Sequence, residues 1–132
     1  MTRASSHDTS SPDTSTIVLA DAVTLLDAER ADTRARAAGL SHDLERIMDA
    51  AEGSNADDEH DPEGATLAFE RAQVAALLDQ ASRHLHELDD AAARVAAGTY
   101  GTCRSCAAPI APARLRARPA AATCIGCASR GR

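Results

Sequence analysis

Four cysteines carry the chemistry available to this chain. They fall in two Cys-x-x-Cys pairs, Cys103-Arg104-Ser105-Cys106 and Cys124-Ile125-Gly126-Cys127, with seventeen residues between them. Each pair can wrap a tight turn that aims two sulfurs at one point. The loop between is long enough to bring the second pair round to the first. A closed set of four thiolates suits a tetrahedral, redox-inert ion. The expected cofactor is therefore one Zn²⁺ held by Cys103, Cys106, Cys124 and Cys127. Such a site keeps no position for water or substrate, so its expected role is structural. Two other readings use the same residues. Paired disulfides need an oxidising compartment, and the polar N-terminus lacks the apolar stretch of a secretory leader. A redox pair of the thioredoxin kind needs a βαβ setting, and the sequence shows no such alternation.

The elements that must place these sulfurs are helices. The 132 residues include one Phe, one Tyr and no Trp, every basic residue is Arg, and Ala dominates the apolar set. So few bulky side chains would fill a globular centre poorly. An Ala-rich, Leu-punctuated, charged sequence suits long helices with narrow seams. Residues 1–15, rich in Ser, Thr and Asp, read as a disordered tail. A first helix is predicted from about Thr16 to Ala51, with Ala22, Leu26, Leu40, Leu44, Ile47 and Ala51 on its seam. That seam is weak where it passes through Glu29, Thr33 and Arg36. Gly, Asn and Pro in 53–64 predict a turn. A second helix runs from Pro62 or Ala65 to Ala97, where Gly98 suits a stop. Its seam is Leu67, Val74, Leu78, Ala81, Leu85, Leu88, Ala92 and Val95. Folding one seam onto the other sets Ile47 against Leu67, Leu40 against Val74 and Leu26 against Leu88. The fold class is all-α: a long antiparallel hairpin over 16–97 and a small four-cysteine finger over 98–132. Within the finger, Ala113–Ala117 can form one helical turn anchored by Leu115.

Charge divides the chain at Gly98. All twenty carboxylates precede it, whereas the finger holds six arginines and no acid. An acidic body repels phosphate and speaks against direct binding of DNA. At the hairpin's turn, Asp57, Asp58, Glu59, Asp61 and Glu63 place five carboxylates in seven positions. Such a cluster could approach a metal ion or a basic pocket in a partner, or simply be solvated. It lacks the alternating oxygen ligands and closing Glu of an EF-hand. Arg114, Arg116 and Arg118 form a basic strip beside the cysteines that could meet an acidic surface or a phosphate. His84 and His86, two apart on a helix, face different ways and make a poor metal pair. No apolar run reaches membrane-spanning length, and a cytoplasmic location is expected.

The run Tyr100-Gly101-Thr102-Cys103-Arg104-Ser105-Cys106 is followed by Ile110, Arg114-Leu115, Ala117-Arg118-Pro119 and Cys124-Ile125-Gly126-Cys127. Together they resemble the zinc finger of the DksA/TraR family. The upstream hairpin and the segment from Asp57 to Ala65 are similar to the same family, so the resemblance covers about residues 17–130. It implies a transcription regulator of the stringent-response type, not an enzyme, that binds bacterial RNA polymerase. Its hairpin tip would enter the secondary channel, with (p)ppGpp as a possible co-effector at the complex. The family's tip motif, Asp-x-x-Asp-x-Ala, is matched by Asp61-Pro62-Glu63-Gly64-Ala65 with one residue missing and no second Asp. The alternative reading is a nucleic-acid-binding zinc ribbon with the Arg-rich finger as its reader, although stacking aromatics are few.

Overall fold

A computed structural model describes residues 14–53 and 62–131, with side chains from Leu19 onward. The turn acids Asp57, Asp58, Glu59 and Asp61, His60 and the N-terminal tail lie outside the described residues. The chain runs through α1 (Thr14–Gly53), α2 (Pro62–Ala97), α3 (Pro112–Ala117) and α4 (Ile125–Arg130). The all-α expectation is borne out: two long helices pack antiparallel, and the cysteine segment follows them. At about 1.5 Å per residue, α1 and α2 span roughly 54 to 60 Å. Glu63 and Ala65, expected near the turn, sit in the first turns of α2.

Burial is graded along the hairpin. Ala22 and Leu26 of α1 join Leu88 and Ala91 of α2 in one cluster with Tyr100, Cys103, Ile110 and Leu115. Leu26 and Leu88 thus meet as the seams predict. Among the described residues no side chain from Arg34 to Gln80 is fully buried. Leu40, Leu44, Ile47, Leu67, Val74 and Leu78 are only half-buried there. The core therefore sits at the foot, where the finger adds a third surface to what two helices alone cannot enclose.

The polar interruption at Glu29 and Thr33 proves to be organised. Thr33 is 0% exposed, and its hydroxyl donates to the Glu29 carbonyl at 2.7 Å. This bond satisfies the polar atom within its own helix. The Glu29 carboxylate reaches across to His84 Nε2 at 3.0 Å, and His84 Nδ1 faces Glu87 at 3.5 Å. One step along, Arg30 pairs with Asp89 on the opposite helix. Partly exposed pairs of this kind contribute about 0–1 kcal/mol each, but the two that cross the seam both depend on its register.

Helix α2 ends as its sequence suggests. Gly98 adopts φ 75°, the Gly98 N–H donates to the Val95 carbonyl at 3.2 Å, and the Thr99 N–H donates to the Arg94 carbonyl at 2.9 Å. This pair of bonds is a Schellman stop, which requires the left-handed residue that glycine supplies without a Cβ penalty.

The burial gradient predicts unequal costs for equal truncations. Leu88, 1% exposed, should lose about 2–5 kcal/mol on Leu88→Ala. Leu40→Ala, at a half-buried position, should lose well under half as much. Urea unfolding of the two variants checks the difference.

Candidate metal centre

Two knuckles bring the cysteines together. In the first, the Cys103 N–H donates to the Ala108 carbonyl at 2.8 Å and the Ala107 N–H donates back to the Cys103 carbonyl at 2.9 Å. This turn forces Ala107 to φ 62°, a conformation that costs a residue with a Cβ roughly 1–2 kcal/mol. A single antiparallel bridge, Thr102 with Pro109, closes the base of the knuckle. In the second, Cys124 sits at the N-cap of α4, and its sulfur accepts from the Cys127 N–H at 3.5 Å. The second knuckle is tied to the first by the Arg104 N–H, which donates to the Ala122 carbonyl at 2.9 Å. Arg114 Nε adds a bond to the Thr123 carbonyl at 2.9 Å.

The finger is fixed to the hairpin through its own core side chains. Leu115, on α3, is buried against the α1–α2 foot, as its expected anchor role requires. Tyr100, the single tyrosine, is buried, and its hydroxyl donates to the Pro119 carbonyl at 2.8 Å. Burial raises its pKa, so the donor stays protonated. Arg94 reaches from α2 to the Ala120 carbonyl at 3.3 Å.

All four sulfurs lie within 4.8 Å of one another, and none is in a disulfide. A Zn–S bond of about 2.3 Å gives a tetrahedral sulfur–sulfur edge of about 3.8 Å. The Cys106–Cys124 separation is 3.8 Å. The cluster is consistent with one zinc ion in size, donor type and closure.

The surrounding electrostatics divide the thiols. Backbone N–H groups, that of Cys124 first and that of Cys106 next, favour the Cys103 thiolate and lower its pKa to about 6. Cys124 is lowered too, chiefly by the Cys127 N–H. Cys127 is pushed up to about 12, because hydrogen bonds to Cys124, then Cys106 and Cys103, hold its proton. Cys103 and Cys124 are thus biased towards the thiolate and Cys127 towards the thiol.

The remaining predicted residues are placed less uniformly. The basic strip is not a single surface. Arg114 is half-buried and spent on Thr123, whereas Arg116 and Arg118 are exposed. Helix α4 and the pairing of His84 with Glu29 were not anticipated. The cue for α4 was the Cys124 cap position, and the cue for His84 was its place facing the weak seam.

Helical hairpin, short α3 and four-cysteine cluster together define a hairpin protein with a C4-type zinc finger. Residues 98–130 match the family described as "Prokaryotic dksA/traR C4-type zinc finger". The structure is similar to that of the transcription factor DksA2 from Pseudomonas aeruginosa. The TM-score is 0.72 at 26% identity, over 87% of this chain and 83% of that one. No curated protein matches the chain at the level of sequence. Both matches carry the DksA name, one as a zinc finger and the other as a transcription factor.

Zinc uptake by the metal-free protein at pH 7 should release at least one proton, that of Cys127. The apparent zinc affinity should fall as pH drops through about 6, where Cys103 takes up its proton. Proton release in weakly buffered solution and competition with a chromogenic chelator measure the two effects. Ala107→Gly should stabilise the zinc-loaded protein by about 1 kcal/mol, read as a rise in Tm.

Proposed function

We infer that the chain is a DksA/TraR-like transcription regulator that binds bacterial RNA polymerase through its hairpin and finger, without catalytic turnover. The observation that carries this reading is the likeness to DksA2 over 87% of the chain, hairpin and finger alike. A rod of roughly 54 to 60 Å, two helices wide, suits entry into a narrow pore such as the polymerase secondary channel. In this reading the turn acids Asp57, Asp58, Glu59 and Asp61, with Glu63 and Ala65 on the first turns of α2, are delivered towards the active centre. Cys103, Cys106, Cys124 and Cys127 hold one structural Zn²⁺ that keeps the foot folded, and (p)ppGpp is a candidate co-effector at the complex. The zinc-ribbon alternative loses ground because Arg114 is committed to Thr123, leaving two exposed arginines of the three-residue strip.

Zinc-loaded protein should retain bacterial RNA polymerase in a pull-down, and a crosslinker placed at the turn should reach the subunits lining the secondary channel. The triple variant Asp57→Asn, Asp58→Asn, Asp61→Asn should keep the wild-type helical circular dichroism and bound zinc while losing most of its effect on promoter-complex lifetime. Full activity in that variant would remove the role given to the turn.

A further inference from the structure

The outer face of distal α2 does not look like the solvent face of a hairpin. The seam of α2 is carried by Leu67, Val74 and Leu78, and the positions opposite it should be charged. Instead Ala65, Phe69, Ala72, Gln73, Ala76 and Gln80 follow one another there at three-four spacing, without a single charge. Phe69, the chain's one phenylalanine, is 71% exposed. Leu77, at the edge of this face, is 44% exposed. An exposed leucine is ordinary, but a bare aromatic on an uncharged stripe marks a contact surface.

The face also continues into a depression. A groove of about 390 Å³ runs between the helices, lined by Ile47, Ala51, Leu67, Ala72 and Ala75, with Arg71 as its one charged lining residue. Ala72 belongs to both surfaces. From the groove round to Phe69 the distal hairpin is therefore largely apolar, although its flanks are acidic. Residues 40–53 and 62–80 hold seven carboxylates and two arginines.

Charge decides what can cover this surface. A second copy of the chain would bring two acidic arms together, at a cost in like-charge repulsion. A partner cleft with an apolar floor and a basic rim would match both the stripe and its flanks. We propose that Phe69 anchors the hairpin to its protein partner by inserting into an apolar pocket rimmed with basic side chains, with Ala72 and the adjoining groove packing beside it. The proposal rests on the polymerase reading above and places the main affinity contact on the shaft of α2, apart from the acidic turn. Phenylalanine supplies a large, stiff contact area at small entropic cost, which is how a few aromatic residues come to dominate interfaces.

The test compares zinc-loaded wild-type protein with Phe69→Ala and Phe69→Leu, titrated against fluorescently labelled bacterial core RNA polymerase at two salt concentrations. An exposed side chain contributes little to folding, so both variants should keep the wild-type Tm. Phe69→Ala should weaken binding by about tenfold or more, Phe69→Leu should weaken it less, and binding of all three should fall with salt. Wild-type binding that Phe69→Ala leaves unchanged would overturn the anchor and leave the polymerase reading intact. Failure of the wild-type chain to bind would remove that reading and the anchor with it. A wild-type dimer in sedimentation that Phe69→Ala dissolves would assign the face to self-association and overturn the proposal.

Discussion

Everything in this molecule hangs on the closure of the hairpin's foot. Two helices meeting along an Ala-rich seam leave each other half-exposed, and only a third body can complete their burial. Tyr100, Cys103, Ile110 and Leu115 supply it, inserted against Ala22, Leu26, Leu88 and Ala91. Cys103 is at once a member of this apolar cluster and one of the four convergent thiols. The thiol cluster and the hydrophobic packing therefore meet in one residue. Structural zinc can contribute on the order of 10 kcal/mol to folding in small modules, and here that free energy would reach the helices through Cys103 and its neighbours.

Higher on the hairpin, specificity replaces burial. Thr33 is buried there and bonded within its own helix. Glu29 with His84, and Arg30 with Asp89, then span the gap on its flanks. These polar links add little net stability. Their value lies in alignment, since sliding one helix past the other by a turn would break both and bring unlike partners opposite.

The sequence made the architecture legible because its strongest signals were periodic or closely spaced. The two seams predicted the pairing of Leu26 with Leu88, Gly98 predicted the stop of α2, and the cysteine spacing predicted a single cluster. What was not legible depended on through-space geometry. Thr33 read as a defect in an apolar row, because nothing local says that His84 and Asp89 stand ready on the other arm. The three arginines of 114–118 read as one strip, although a six-residue helix turns Arg114 inward to a carbonyl on the second knuckle. Helix α4 escaped notice because its cap is a cysteine sulfur, a poor substitute for the usual Ser, Asp or Asn.

The gradient of burial gives the hairpin the mechanics of a cantilever. Its root is clamped by a dense core, and its shaft is held by a thin seam alone. Bending stress concentrates at the clamp, where packing is stiffest, while displacement accumulates towards the free end. Small angular play near Thr33 becomes several ångströms of lateral travel some ~30 Å further out.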